Sequence, residues 1–329
     1  MMDSAVLATE LPEFFLLTGA LGSGKTTLLS DFLALGTAAD TGVIINDAGE
    51  LNVDGAVIQA DHRDLAMAVL SDGCICCSMG NNLQEGIDAL LRARAEKGLG
   101  PPCRIILETS GLAEPAPILR SVRQLRQQDF RLRILSTFDA ASSAYNNDFV
   151  PSYAAQLAAS HAIFLTKLDD LSPEESGKAG RRARSFNPLA TVVAIDDRTL
   201  RARKAFDGTM SLVDTAFRLS SLGCERAQSR IQIGLARWRP QATWPEIGEW
   251  IENAAGHLGD RLLRMKGFVK PSGARSALFI NGVGGVFPPP RPVPIEDDGM
   301  LGLVMIMRDT SAHDLSRIAG EEKPIVSLR

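Results

Sequence analysis

The stretch Gly19-Ala20-Leu21-Gly22-Ser23-Gly24-Lys25-Thr26 has the spacing of a phosphate-binding loop, with three glycines ahead of a lysine and a hydroxyl residue. An apolar run, residues 13–18, precedes it, and a segment with helical spacing, residues 26–33, follows it. Glycines let backbone N–H groups turn toward phosphate oxygens, and the positive end of the following helix adds to the attraction. The order strand, loop, helix predicts a site for a nucleoside triphosphate.

The lysine and the threonine of this loop carry its predicted chemistry. Lys25 would reach the β and γ phosphates, and the Thr26 hydroxyl would bind Mg²⁺. The residues that we predict to contact the nucleotide in this loop are Gly19, Gly22, Ser23, Gly24, Lys25, Thr26 and Thr27. A glycine-rich turn without a ligand is the alternative, and the flanking strand and helix argue against it.

A second element on the phosphate side is Leu107-Glu108-Thr109-Ser110-Gly111, which follows another apolar run. Glu108 is placed to hold a water of the Mg²⁺ ion, and the Gly111 N–H is placed to sense the γ phosphate. A glutamate at a strand end is often only solvated, so the phosphate loop is what favours a functional role. With Lys25 and Thr26, Glu108 completes the predicted catalytic set.

The predicted recognition loop for the nucleotide base is Thr166-Lys167-Leu168-Asp169, directly after the apolar run of residues 162–165. A carboxylate such as that of Asp169 accepts hydrogen bonds from two guanine nitrogens, and Lys167 would pack over the base. Common guanine-binding loops begin with Asn, whereas signal-recognition-particle GTPases have Thr at the position of Thr166. The motif therefore favours GTP over ATP.

Three of the five cysteines fall within Gly73-Cys74-Ile75-Cys76-Cys77-Ser78, too close together for a disulfide network. In a reducing compartment such thiols are typical metal ligands. Three thiolates would bind one soft or borderline ion, Zn²⁺ or Co²⁺, and Glu50 is the candidate fourth ligand. The alternative is that Cys74, Cys76 and Cys77 fill a core as small hydrophobic residues.

Composition excludes several classes of protein. A formal charge of −4 and evenly spread Lys and Arg residues argue against a nucleic-acid partner. No apolar run reaches the roughly 18 residues needed to cross a bilayer, and the N-terminus lacks the basic stretch of a signal peptide. We therefore expect a cytoplasmic protein that does not bind a membrane.

The distribution of apolar runs predicts an α/β fold. Compact apolar runs at residues 42–45, 104–107, 133–136, 162–165 and 191–194 are predicted strands, and amphipathic stretches lie between them. This alternation is typical of a P-loop NTPase with a mostly parallel sheet flanked by helices. This domain is assigned to residues 1–220, with polar residues 201–207 and 220–229 bracketing a connection. Residues 226–329 are predicted to form a smaller α+β domain, with a helix over residues 244–258, a rigid proline loop at 288–294 and a last helix after Ser311.

The chain resembles the CobW-type metallochaperone GTPases, which are relatives of urease and hydrogenase nickel-insertion GTPases. The resemblance rests on four motifs in this order: the phosphate loop, Cys-x-Cys-Cys, Glu-Thr-Ser-Gly-Leu-Ala-Glu-Pro and Thr-Lys-Leu-Asp. Arg264-Met265-Lys266-Gly267-Phe268 is similar to a strand of that family's C-terminal domain. The resemblance implies that the three cysteines bind the cargo metal beside the nucleotide switch, in which Asp47 and Glu50 take part. Family members usually have Glu where this chain has Asp47, and many carry a histidine-rich segment that this chain lacks.

These observations predict a GTP-hydrolysing metal chaperone. It would use GTP, GDP and Mg²⁺, carry Zn²⁺ or Co²⁺, and pass the ion to a client metalloprotein. GTP binding would order residues 46–54 together with the cysteine loop, and hydrolysis would release the metal. No residue is placed like an activating arginine, so unassisted turnover should be slow, on the order of 10⁻⁴ to 10⁻² s⁻¹.

Several points stay open at this stage. A metal sensor or buffer that GTP only tunes, and a small-molecule P-loop kinase, are the competing functions. The sequence also leaves homo-oligomerisation open. Trp238, Trp244 and Trp250 are interpreted as core residues of the second domain in preference to a docking face.

Overall fold

A computed structural model describes residues 12–46, 65–70, 81–125, 130–142, 151–207, 230–294 and 301–328. The strands of a first sheet are β1 Glu13–Gly19, β2 Thr41–Asn46, β3 Ala66–Leu70, β4 Arg104–Thr109, β5 Arg131–Asp139, β6 Ala162–Thr166 and β7 Thr191–Val193. The strands of a second sheet are β8 Ile231–Arg237, β9 Leu262–Val269, β10 Ala277–Val283, β11 Arg291–Val293, β12 Gly302–Arg308 and β13 Ile325–Leu328.

The α-helices in the described ranges are α1 Lys25–Phe32, α2 Asn81–Glu96, α3 Pro115–Gln124, α4 Pro151–Ala159, α5 Pro173–Phe186, α6 Arg198–Phe206, α7 Trp244–Leu258 and α8 Ala312–Ser316. A π-type turn follows α1 at Leu33–Thr37, and 3₁₀ turns lie at Ala38–Asp40 and Gly259–Arg261. Across these ranges, no helix has both the length and the apolar character needed to span a bilayer.

The first sheet is parallel, with the strand order β3-β2-β4-β1-β5-β6-β7. β1 lies at its centre, and the buried runs of β1, β2, β4 and β6 reflect helices packed on both faces. The predicted α/β fold with a parallel sheet is therefore confirmed. β3 has no counterpart among the predicted strands, because only part of its short length is buried.

One flank of the predicted connection is helical. Most of the polar residues 201–207 belong to α6, whose Asp197 cap accepts a hydrogen bond from the Leu200 N–H at 2.8 Å. Ala202, Ala205 and Phe206 are buried in the core beneath α1. The helix was not predicted because its many charged residues outnumber the few apolar residues of this face. The predicted domain boundary near residue 225 lies outside the described residues.

The second sheet is antiparallel, in the order β11-β10-β9-β12-β8-β13. The predicted helix over residues 244–258 is confirmed as α7, which begins with a capping box between Thr243 and Glu246. Trp250 on α7 is 1% exposed, so its core assignment is confirmed, whereas Trp244 is 36% exposed. The proline cluster is not only a loop, since Pro292 lies in the edge strand β11, where the lack of an N–H is tolerated.

The two sheets share a hydrophobic core. Leu263, Val304 and Ile306 of the second sheet lie in one buried cluster with Ala154 and Leu157 of α4. Helix α4 packs directly on β9. The second sheet is therefore attached to the face of the first sheet that α4 covers.

Candidate functional site

The predicted site residues gather at one edge of the parallel sheet. Strands β1, β4, β5 and β6 end at Gly19, Thr109, Asp139 and Thr166, and their parallel register brings these ends together. Ligands of open α/β sheets bind at the carboxyl ends of the strands. The fold thus collects the phosphate loop, the Glu108 segment and the guanine loop, which are far apart in the sequence.

The phosphate loop is held by its own hydrogen bonds. Gly22 and Gly24 have φ angles of 69° and 90°, a left-handed backbone that favours glycine. The buried Ser23 hydroxyl donates to the Ala20 carbonyl at 2.7 Å and contacts the Thr137 hydroxyl at 2.6 Å. Helix α1 begins directly after this loop at Lys25. The backbone that would cradle phosphate is therefore preformed.

The Lys25 side chain folds back onto the phosphate loop. Its Nζ donates to the carbonyl oxygens of Gly19 at 3.0 Å and Ala20 at 3.1 Å, and the side chain is 7% exposed. The ammonium group is thus stored inside the loop, next to the backbone that would surround a phosphate chain.

Thr26 and Glu108 meet at the same place. The Thr26 Oγ1 donates to the Glu108 Oε1 at 2.6 Å, and Glu108 is buried at the end of β4, in register with Leu17 of β1. A hydroxyl and a buried carboxylate are the hard oxygen donors that Mg²⁺ prefers in proteins. The residues present therefore fit the predicted ion.

Gly111 is packed tightly against the phosphate loop. A β-carbon at this position would lie 2.5 Å from the Leu21 backbone nitrogen, so only glycine allows the approach. The fully buried Gln156 of α4 donates from Nε2 to the carbonyls of Gly111 at 3.0 Å and Ala113 at 2.9 Å. Gln156 was not predicted as a site residue. It fixes the loop that was predicted to sense the γ phosphate.

Thr166, which stands where guanine loops usually have Asn, contacts the phosphate loop. Its hydroxyl contacts the Ser23 carbonyl at 2.8 Å and the Phe138 carbonyl at 3.2 Å. A β-carbon on Gly24 would also touch the Thr166 methyl group at 3.3 Å. Thr166 therefore ties the guanine loop to the phosphate loop.

The next residues of the guanine loop are exposed at the site. Lys167 has a φ of 54°, and its Nζ forms an ion pair of 2.6 Å with the Asp139 Oδ2. Asp169 is exposed. The pKa of Arg198 is raised mainly by its hydrogen bond with Asp31 and by the charge of Asp31, and the charge of Asp169 adds to this. Asp139, at the end of β5, was missed by sequence reasoning, although an aspartate closing an apolar run was a usable signal.

The predicted metal ligands Cys74, Cys76, Cys77 and Glu50, and the switch residue Asp47, lie outside the described residues. Within the described ranges, no three His, Cys, Asp or Glu side chains are grouped so that they could hold a metal ion. The flanks of these segments are described. β2 ends at Asn46, opposite Thr109 of β4, and β3 ends at Leu70, opposite Asn46.

The parallel sheet and the phosphate loop define a P-loop nucleotide hydrolase. Residues 13–194 match the family model described as CobW/HypB/UreG, nucleotide-binding domain, and residues 236–318 match the Cobalamin synthesis protein cobW C-terminal domain. The chain belongs to the CobW/HypB/UreG family, and it is a GTPase of the metallochaperone type.

Individual relatives are consistent with this assignment. The zinc chaperone YjiA of Escherichia coli is 29% identical over 276 residues, which cover 82% of this chain and 85% of YjiA. The zinc-regulated GTPase metalloprotein activator 1 of Dictyostelium discoideum is 35% identical over 113 residues, 31% of this chain and 22% of that protein. The crystal structure of Zn(II)-bound YjiA GTPase from E. coli has a TM-score of 0.61 at 20% identity, covering 94% of this chain and 99% of that one. This likeness confirms the fold.

Proposed function

We propose that this protein uses GTP to control a transition-metal ion, Zn²⁺ or Co²⁺, bound by Cys74, Cys76, Cys77 and Glu50, and that it transfers the ion to a client metalloprotein. The observation that carries the proposal is the register of β2 with β4, which sets Asn46 beside Thr109. Asn46, which precedes Asp47 and Glu50 in the sequence, therefore lies next to the strand that carries Glu108. A metal ligand in that segment would be coupled to the state of the nucleotide.

The phosphate side of the site supports hydrolysis by this chain's own residues. Lys25 would leave the carbonyls of Gly19 and Ala20 and bind the β and γ phosphates. Thr26 and Glu108 would hold Mg²⁺, which neutralises charge on the phosphates. The Gly111 N–H would meet the γ phosphate, on a loop whose position Gln156 fixes.

The base side supports guanine. Asp169 is exposed in the guanine loop, and its carboxylate would offer two acceptors to the N1–H and the amino group of guanine. Lys167 would cover the base, with Asp139 holding its ammonium group. Adenine offers no matching pair of donors on that edge, so GTP is the expected nucleotide.

Names of relatives support zinc as the cargo. YjiA and YeiR of E. coli are named zinc chaperones. Thiolate ligands suit Zn²⁺ and also accept Co²⁺. Because binding couplings are reciprocal, GTP that tightens the metal site must itself bind more tightly when metal is present.

The test is a zinc-transfer assay. Protein loaded with Zn²⁺ and either GTP or a non-hydrolysable GTP analogue is mixed with the chromogenic chelator 4-(2-pyridylazo)resorcinol, and zinc capture is followed by absorbance. We expect slow capture with the analogue and capture that follows phosphate release with GTP. Lys25→Ala should retain zinc with GTP, while the matched exposed variant Lys178→Ala should behave like the parent protein.

Two results would replace the proposal. Zinc held equally tightly after hydrolysis would identify a GTP-tuned sensor or buffer. Radiolabelled γ phosphate appearing on a metabolite, in place of free phosphate, would identify a small-molecule kinase.

A further inference from the structure

A cavity of about 600 Å³ lies between the two sheets, away from the nucleotide site. Its walls come from α3, β5 and the turn before β6 on one side, and from β9, β10 and β11 on the other. A volume of roughly 300–1,000 Å³ is typical of small-molecule sites. The cavity is therefore large enough for a metabolite-sized ligand.

The charge of the cavity wall is one-sided. Arg123, Arg131, Arg264 and Arg291 line it beside apolar side chains, and no described residue of the lining is acidic. Within the described residues, none of these four arginines forms an ion pair. An apolar chamber with an uncompensated positive charge favours an organic anion.

The strongest argument for a bound anion is the environment of Arg264. It is 1% exposed, and its guanidinium donates to two neutral acceptors, the Ala159 carbonyl at 3.0 Å and the Asn281 Oδ1 at 2.8 Å. Its Nε is buried and has no hydrogen-bond partner among the described residues. Burying a charge without a counter-charge is costly.

His161 adds a second buried donor. Its Nδ1 accepts the Ile134 N–H at 2.9 Å, so in the neutral ring the proton is on Nε2. That Nε2 is buried and has no partner in the described part of the chain. Burial, and then the charges of Arg264, Lys266 and Arg133, hold the pKa of His161 well below its usual range.

Burial shifts the pKa values of two basic side chains on β9. It lowers the pKa of Arg264 to about 10. Burial and the charge of Arg264 lower the pKa of Lys266 to about 7. An anion bound to Arg264 would oppose the shift of the Arg264 pKa.

The described part of β11 runs away from the cavity. The chain enters β11 at Arg291, opposite Phe279, and leaves it at Val293, opposite Ala277. The β10 residues that line the cavity are Phe279, Asn281 and Val283, toward the other end of that strand.

We propose that this cavity binds a small organic anion with an apolar body, whose acidic group accepts hydrogen bonds from Arg264 and His161. Arg123 and Arg291, both exposed, line the cavity and attract the anion. The ligand would be linked to α4 through Arg264, because Arg264 donates a hydrogen bond to the Ala159 carbonyl of that helix.

The test compares octanoate with octan-1-ol, which share an apolar body and differ in charge. Each is titrated calorimetrically into the full-length protein saturated with GDP and Mg²⁺, so that the phosphate loop is filled. We expect octanoate to bind and octan-1-ol to bind at least about tenfold more weakly, since a hydrogen bond to a charged group contributes roughly 1.5–3 kcal/mol.

Variants locate the binding. Arg264→Met should weaken octanoate binding about tenfold or more. Because that buried change can impair folding, Arg291→Gln at an exposed position is a second variant, with an expected loss of about threefold. Arg239→Gln, an exposed arginine outside this cavity, is the matched control and should leave the affinity unchanged.

Three outcomes would overturn the proposal. The first is equal binding of octanoate and octan-1-ol, and the second is octanoate binding that neither Arg264→Met nor Arg291→Gln weakens. The third is binding of a poly-glutamate peptide without binding of octanoate, which would make the cavity a contact for a protein partner.

Discussion

The Thr26 hydroxyl donates to the Glu108 carboxylate at 2.6 Å, although 82 residues separate them. The bond joins the first turn of α1 to the end of β4, the two elements that flank the phosphate loop in space. It also brings the Thr26 hydroxyl, the proposed Mg²⁺ ligand, together with the Glu108 carboxylate, which is proposed to hold a water of that ion. The site is thus organised by the pairing of β1 with β4.

Glu108→Gln should raise the Mg²⁺ concentration needed for half-maximal GTP hydrolysis. The amide keeps the size and one acceptor of the carboxylate but removes its negative charge, so we expect a shift of about tenfold or more. Hydrolysis measured against Mg²⁺ concentration checks this, with the exposed Glu174→Gln as control. An unchanged Mg²⁺ requirement would refute the assignment of Glu108.

Asp169→Asn should change the preferred base from guanine to xanthine. The carboxylate offers two acceptors to guanine, whereas an amide offers one acceptor and one donor and so matches the O2 of xanthine. GTP affinity should fall at least about tenfold and XTP affinity should rise. Competition binding measures both, and the adjacent exposed Asp170→Asn should keep the GTP preference; loss of selectivity in both variants alike would contradict the role.

Replacing Cys76 and Cys77 together with Ser should weaken Zn²⁺ binding while GTP hydrolysis continues. A serine hydroxyl does not supply the thiolate that a zinc site requires. Changing only an outer partner of a metal ligand already costs roughly 10–100-fold in affinity, so losing two ligands should cost at least that. Competition with a zinc chelator checks this, with the exposed Cys103→Ser as control. Parent-like affinity would favour cysteines that only fill a core.

His161→Gln should flatten the acid side of the stability profile. The folded protein holds the pKa of His161 well below 6.5, so the unfolded chain binds its proton first, and stability is lost as the pH falls from about 6.5 toward that lowered value. The slope from one group is at most about 1.4 kcal/mol per pH unit. Lys266, with a pKa of about 7 in the folded protein and 10.5 in the unfolded chain, acts at higher pH.

The measurement is the free energy of unfolding in denaturant between pH 5 and pH 8. The matched control is His257→Gln, an exposed residue of α7, which should keep the slope of the parent protein. An identical slope below pH 6.5 in the parent protein and in His161→Gln would contradict the buried neutral state.

Local patterns predicted the parallel sheet well because its strands are short, continuous apolar runs. Helix α7 was predicted to the residue, since its capping box and Pro245 mark the start and its apolar spacing sets the length. Helix α6 was missed because it buries only one narrow face among many charges. The last strand, β13, was missed for a related reason, since it pairs only at the sheet edge and alternates partly exposed residues.

The predicted nucleotide residues within the described ranges do converge. Gln156 was missed because nothing in its own segment signals a role, and Asp139 was missed although it closes an apolar run. Asp139 acts by pairing with Lys167, 28 residues away, and Gln156 acts by its hydrogen bond to Gly111, 45 residues away. Contacts of that kind exist only after the sheet has formed.

The sequence by itself determined where the phosphate loop, the segment of residues 166–169 and the cysteine motif lie, because each is a short run of recognisable spacing; the roles predicted for the guanine loop and the cysteines stay predictions. Only the tertiary structure decided which distant groups meet: Thr26 with Glu108, Lys167 with Asp139, and Arg264 with the end of α4. The physical reason is that strand register and burial set these pairs. That the Arg264 guanidinium is buried without a counter-charge among the described residues can be recognised only from the tertiary structure.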